Sequence, residues 1–401
     1  MAQVGTHGQV RVLCGVLLLT LTTACTANGA ATDGDTSPQA ESATPQDAQS
    51  DAVPEAEPET AVADTLRAAA PDGLLVGSAV AGGGHHAVQA YPDPFTSDDA
   101  YRERLGAEFS SLTPENQLKW EFLRPSPDEF VFGPADAIVD FAEAHDQAVR
   151  GHALLWHNQN PAWLETTDLD PEDLRELLRG HITTVVGRYA GRIHQWDVAN
   201  EIFDDSGQLR LEENIWLREL GPDVVADAFR WAHAADPDAE LFLNDYGVES
   251  INTKSTAYLE LLTGLLADDV PVHGFGVQGH LSTQYGFPDD VEDNLRRFAD
   301  LGVAVAVTEL DVRMVLAGAD PTSEQLARQA DDYRGMLEAC LAVAACDSFT
   351  IWGLPDRYSW VPHFFPEEGA ATVLWDDLTA KPAYEALRDT LAAARAMTGG
   401  P

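Results

Sequence analysis

The sequence predicts an α/β fold, a (β/α)8 TIM barrel, preceded by a signal peptide and a disordered acidic linker. Three observations lead there. From residue 74 onward, short apolar runs alternate with amphipathic stretches. Eight such units follow one another over about 330 residues with no break in the pattern. Polar residues also collect at the C-terminal end of run after run. Continuous apolar strands alternating with helices imply a parallel sheet covered by helices. Eight units favour a closed barrel, whose chemistry lies at the C-terminal strand ends. An open doubly wound sheet would usually carry a Gly-rich phosphate turn after its first strand. GGGHH (82–86) is rich in glycine but lacks that spacing.

In chain order, the candidate strands are LLVGSAV (74–80), SSLTPE (110–115), VRGHALLW (149–156) and IHQWDVANE (193–201). AELFLND (239–245), FGVQGH (275–280), VAVAVTEL (303–310) and SFTIWGL (348–354) complete the set. Helical patterns occupy 99–109, 135–146, 171–189, 222–236, 253–269, 289–302, 323–344 and 381–396. Asp170 before Pro171, and Thr322-Ser323 before Glu324, are suitable helix caps. Tyr91, Tyr101 and Trp231 carry no functional argument and read as packing residues.

The chain has 401 residues, 45% of them hydrophobic, enough for one large barrel with a sizeable core. Its 66 acids and 24 bases give a formal net charge of -42. So acidic a surface repels nucleic-acid phosphates and anionic membrane surfaces, but not a neutral polysaccharide. Residues 1–25 read as a signal peptide, with Arg11 followed by VLCGVLLLTL, a run too short to span a membrane. LTTAC, ending in Cys25, resembles a lipobox, although Thr22 stands where an apolar residue is usual. Cys25 is therefore the candidate lipidation site, with an ordinary cleaved signal as the alternative.

Residues 26–66 hold nine acids, no base and no aromatic, so they cannot bury enough apolar surface to offset their ordering entropy. As a flexible tether they would reach roughly 35 Å. The expected location is outside the cell, anchored to the membrane through lipidated Cys25, or otherwise secreted. The catalytic domain is expected over 67–396, as a monomer. Cys340 and Cys346 lie six residues apart in an exported chain and read as a disulfide, with two buried thiols as the alternative.

The strand ends carry the chemistry. Glu201 ends the fourth run and Glu309 the seventh. Glu115 and Asn116 follow the second, His152 and Trp156 end the third, and Asn244 and Asp245 end the fifth. Gln278 and His280 end the sixth, and Trp352 lies in the eighth. A buried carboxylate without a partner costs several kcal/mol, so strands seldom end this way by accident. Two carboxylates among amides, a histidine and indoles suit glycoside hydrolysis: one acid protonates the leaving oxygen while the other attacks or stabilises the anomeric carbon. Sugar faces stack on indole, and sugar hydroxyls need polar partners. No cofactor motif competes.

TPENQLKWE, GHALLWHNQ, WDVANE, LNDY, FGVQGHL, VTELD, TIWGLPDRYSW and AKPAYEAL occur in this order. Together they resemble glycoside hydrolase family 10, the endo-1,4-β-xylanases, over roughly residues 70–396. The resemblance implies Glu201 as general acid/base and Glu309 as nucleophile of a retaining double displacement. Asn200 would bond the sugar 2-hydroxyl, and His280 and Asp311 would hold Glu309. Glu115, Asn116, Lys119, His152, Trp156, Gln159 and Trp352 would line the subsites on the non-reducing side, roofed by Trp360. Asn244, Tyr246 and Gln278 match further cleft positions. The chain departs from the family pattern at Ala199, Glu121 and Pro355.

Other readings remain at this level. The same fold could act on another β-1,4-glycan or from chain ends, or could bind glycan at a surface without catalysis. A metal-dependent barrel hydrolase would draw on His85, His86, His152, His157 and His280. No strand offers His-x-His, and His152 and His157 would point to opposite faces of one extended strand. No cofactor and no metal are expected.

Overall fold

The computed structural model describes residues 65–398. The signal, Cys25 and nearly all of the linker fall outside the described residues. Eight strands form the sheet: β1 (Leu75–Val80), β2 (Ser111–Pro114), β3 (Ala148–Leu155), β4 (Gln195–Asn200), β5 (Glu240–Asp245), β6 (Gly274–Val277), β7 (Ala304–Val315) and β8 (Cys346–Ile351). Each pairs in parallel with the next. The circle closes where β8 pairs with β1, with Leu75 opposite Ser348. β2 and β4 are buried along their whole length, as continuous apolar runs covered on both faces must be.

Helices return the chain between strands. Asp170 accepts from the amides of Glu172 and Asp173 to start helix Pro171–Arg188, and Thr322 forms a capping box with Gln325. Boundaries of the eight predicted helices shift by no more than three residues. The larger difference is in β7. The sequence stops it at 310, yet it runs on to Val315 because the extension has two partners outside the barrel. His280–Ser282 pairs with it in parallel, and Glu368–Gly369 pairs antiparallel. β8 ends at Ile351, so Trp352 lies just past the strand.

Cys340 and Cys346 are bonded to each other, tying the end of helix Ser323–Leu341 to the start of β8. Tyr101 is fully buried, as a packing residue should be, whereas Tyr91 is exposed and meets Tyr358 edge-on.

The β3–β4 register decides which side chains meet on each face of the barrel wall. Arg150 lies opposite Gln195, Gly151 opposite Trp196, and His152 opposite Asp197. The Trp196 indole occupies the space where a side chain at 151 would stand: a Cβ there would lie 2.2 Å from the ring. Neither backbone nor indole can yield in a close-packed interior. Gly151→Ala should therefore destabilise the domain by about 1–3 kcal/mol, measured as a lower urea midpoint at unchanged m-value. An unchanged midpoint would show that Trp196 moves aside freely.

Candidate active site

Glu201 and Glu309 come from strands three places apart around the barrel. Glu201 follows β4 in the left-handed region, with φ of 52°. That conformation is costly for a residue with a Cβ, and surrounding contacts must hold it. Its amide donates to the Asn244 carbonyl at 2.9 Å. Its Oε1 accepts from Gln278 Nε2 at 3.1 Å and Asn200 Nδ2 at 3.3 Å. Its Oε2 lies 3.9 Å from His157 Nδ1.

Glu309 sits deeper. Its Oε1 accepts from Asn244 Nδ2 at 2.7 Å, and Oε2 lies 3.4 Å from His280 Nε2. Asn244 is aimed by Thr308, whose hydroxyl donates to its Oδ1 at 2.7 Å, and it also donates to Asn200 Oδ1 at 2.9 Å. One amide thus links the two glutamates' supports.

His280 lies between two carboxylates, with Nδ1 3.1 Å from Asp311 Oδ2. Trp360 Nε1 donates to the same Asp311 oxygen at 2.6 Å. Burial alone would lower the His280 pKa, but Asp311 and Glu309 overcome it and push the value up to about 10. The ring is therefore an imidazolium at neutral pH. Burial likewise works against the Glu309 carboxylate, yet the charges of His152 and His280 hold its pKa below the usual range.

A second chain of charge approaches Glu309 from inside the barrel. Arg150 Nε donates to Asp197 at 3.1 Å, and His152 Nδ1 donates to Asp197 at 2.9 Å. His152 Nδ1 lies 3.8 Å from Glu309 Oε1. Arg150, Asp197 and His152 are all buried.

The residues expected on the non-reducing side also gather. Glu115 accepts from His86 Nε2 at 2.9 Å, and His85 Nδ1 lies 3.8 Å away. Burial would raise the Glu115 pKa, but His86, His85 and Lys119 keep it low. Asn116 Oδ1 accepts from Lys119 Nζ at 3.3 Å and Gln159 Nε2 at 3.1 Å. The Lys119 ammonium stands 4.8 Å from the centre of the Trp156 ring. The His152 ring is 6.0 Å from Trp156 and 5.4 Å from Trp352.

On the other side, the Tyr246 hydroxyl accepts from Arg210 at 2.8 Å and donates to Asp205 at 2.9 Å. Asp245 is turned inward, fully buried between Lys254 at 2.8 Å and the Tyr258 hydroxyl at 2.6 Å. It supports the strand end and does not face the cleft.

Several participants escaped the sequence reading. His157 counted only as a spare histidine, yet it stands beside Glu201. His85 and His86 entered only as possible ligands of a metal-dependent rival. Arg150 and Asp197 lay unremarked inside strands. A charge within an otherwise apolar run was the available signal for the last pair.

Among the described residues, two groups bring possible metal ligands within 4.8 Å of one another: His85, His86 and Glu115, and His152, Asp197 and Glu309. In the second group Arg150 already neutralises Asp197, and in the first Lys119 adds a cation beside Glu115. His86 is hydrogen-bonded to Glu115, and Arg150 and His152 are hydrogen-bonded to Asp197.

The sequence model for glycosyl hydrolase family 10 matches residues 67–390. The chain belongs to that family. An endo-1,4-beta-xylanase of Agaricus bisporus is 38% identical over 302 residues, spanning 75% of this chain and 89% of that protein. Endo-1,4-beta-xylanase B of Thermotoga neapolitana is 40% identical over 293 residues, spanning 73% of this chain and 84% of that protein. Native xylanase 10B of Thermotoga maritima superposes with a TM-score of 0.76 at 37% identity, covering 83% of this chain and 99% of its own. Xylanase 10B of Thermotoga petrophila RKU-1, solved in complex with xylobiose, gives 0.76 at 37% identity, covering 82% and 97%. This chain is accordingly a glycoside hydrolase.

The histidine geometry yields a pH expectation. His280 has a raised pKa, so its contribution to stability is complete below the unfolded value of about 6.5 and is lost as pH rises through about 10. Its charge also lowers the Glu309 pKa, so removing it should raise that value. In His280→Ala, turnover should fall by orders of magnitude while the fold is retained. If Glu309 must be ionised to act, the acid limb of the kcat/KM profile should also move to higher pH. An acid limb left in place would show that His280 does not control the charge of Glu309.

Proposed function

We propose that this glycoside hydrolase is a retaining endo-1,4-β-xylanase. Glu309 attacks the anomeric carbon while Glu201 delivers a proton to the departing glycosidic oxygen. The C–O bond to the leaving chain breaks and a glycosyl-enzyme forms. Water then attacks the same carbon, with Glu201 taking its proton and Glu309 leaving. This route calls for carboxyl groups ~5–5.5 Å apart.

The observation that carries the assignment is the contrast between the two carboxyl groups. Glu309 is ringed by His152 and His280, which favour the anion a nucleophile needs. Glu201 is hydrogen-bonded by the neutral amides of Asn200 and Gln278 and is the more open of the two, with 13% of its side chain exposed against 5%. That setting suits a group that must give and take a proton. Xylan as substrate is supported by the related xylanases and by the xylobiose complex of the Thermotoga petrophila enzyme. In this reading Asn200 meets the 2-hydroxyl. Glu115, Asn116, Lys119, His152, Trp156, Gln159 and Trp352 hold the non-reducing side under Trp360. Tyr246, Asn244 and Gln278 serve the rest of the cleft.

Early products followed by NMR should carry the retained anomer, and an inverted anomer would overturn the assignment. Glu309→Ala should abolish turnover. Glu201→Ala should still release good leaving groups in the first step.

Export as a monomeric lipoprotein completes the proposal. It is supported by the apolar run after Arg11 and by LTTAC at Cys25. A large polymer cannot enter the cell, so an enzyme tethered at the surface keeps its products near. Cys25→Ser should move activity from the membrane fraction to the medium. Unmodified protein already free in the medium, starting well after Cys25, would mean an ordinary secreted enzyme.

A further inference from the structure

Among the described residues, three phenylalanine, tyrosine or tryptophan side chains are exposed: Tyr91, Tyr285 and Phe364. All three follow the C-terminal ends of strands, so they lie on the catalytic face. Phe364 is tied to the active site by a continuous row of rings. The His280 ring is 4.9 Å from Trp360, and Trp360 is 5.3 Å from Phe364. Phe364 also stands edge-on to His85, at 5.9 Å between centroids, and His85 adjoins the Glu115 carboxylate. The row therefore leads outward from the proposed nucleophile, along the side of the cleft built by the loops after β8 and β1. It ends in a phenyl ring that is 56% exposed.

We propose that Phe364 is the stacking surface of a further sugar-binding position, beyond Trp360 at the non-reducing end of the cleft. Its ligand is a backbone xylose unit of a β-1,4-linked chain. This rests on the xylanase reading above. The chemistry fits on both sides. A phenyl ring offers an apolar face and no hydrogen-bonding group to be stranded when covered. A xylopyranose ring carries no exocyclic hydroxymethyl group, so its C–H face can lie flat on such a surface. Covering an exposed phenyl removes apolar area from water without burying a polar atom of the protein. Phe364 adds no charge or proton to the reaction. It is a binding residue that sets how much of a long chain the enzyme grips.

The test compares substrates of different length in the full-length enzyme. In Phe364→Ala, the ratio of kcat/KM for xylohexaose to kcat/KM for an aryl β-xylobioside should fall about three- to tenfold, from the usual size of an aromatic stacking contact. KM for the long substrate should rise more than its kcat falls. Phe364→Trp should restore the ratio. An equal loss on both substrates would overturn the proposal, because it would mean that Phe364 only props Trp360. An unchanged ratio would overturn it as well. If the unaltered enzyme cleaves neither substrate, the xylanase reading fails first and this position falls with it. Cleavage of both, with no dependence on Phe364, removes this position alone.

Discussion

Alternating charge around Glu309 is the constraint on which the rest of the site depends. A carboxylate buried this deeply costs several kcal/mol unless positive groups meet it. Two chains of charge do so. From inside the barrel, Arg150 holds Asp197, and Asp197 holds His152, which stands near Glu309. From the rim, Trp360 and His280 share Asp311, and His280 faces Glu309. Each anion has a cation beside it, and the groups come from β3, β4, β7 and the loops after β6 and β8. One strand could not place both signs in contact, because same-face neighbours on a strand stand about 6.6 Å apart. A closed barrel brings the strand ends to one place.

The same constraint explains why the backbone near the site is so particular. The β3–β4 register that sets His152 opposite Asp197 also sets Gly151 opposite Trp196, so the glycine and the charge relay are fixed together. The extension of β7 beyond the barrel carries Asp311 outward, where it lies opposite His280 in the short strand His280–Ser282. A strand that stopped at 310, as the apolar pattern reads, would leave Asp311 without this pairing. The rim chain therefore depends on a strand pairing that begins only after the barrel ends.

Much of this was legible in the sequence because burial leaves a mark. Glu201 and Glu309 stand out as acids closing apolar runs, and the barrel follows from the repeat of such runs. The family resemblance tied His280 and Asp311 to Glu309, and strand order and parity agree with it. What stayed hidden depends on partners distant in the chain. Arg150 and Asp197 sit within strands, and their pairing requires the β3–β4 register, which no local pattern encodes. His85 and His86 lie in GGGHH, a short turn with no periodicity, and acquire meaning only when folded against Glu115. The extra length of β7 depends on Glu368–Gly369, more than 50 residues away in sequence.

The two glutamates differ because their proposed tasks differ. A nucleophile must stay ionised until it attacks, and a charged cage favours that state throughout. The acid/base group must lose its proton in one step and regain it in the next, so a charge locked beside it would oppose one of the two. Glu201 is bonded instead by the uncharged amides of Asn200 and Gln278. Its backbone is strained as well. A residue in the left-handed region is held by what surrounds it, here through its amide on the Asn244 carbonyl. Asn244 also donates to Glu309, so one side chain and its backbone set the positions of both carboxyl groups at once. The separation of the pair is thus built into β5, a strand that contributes neither of them.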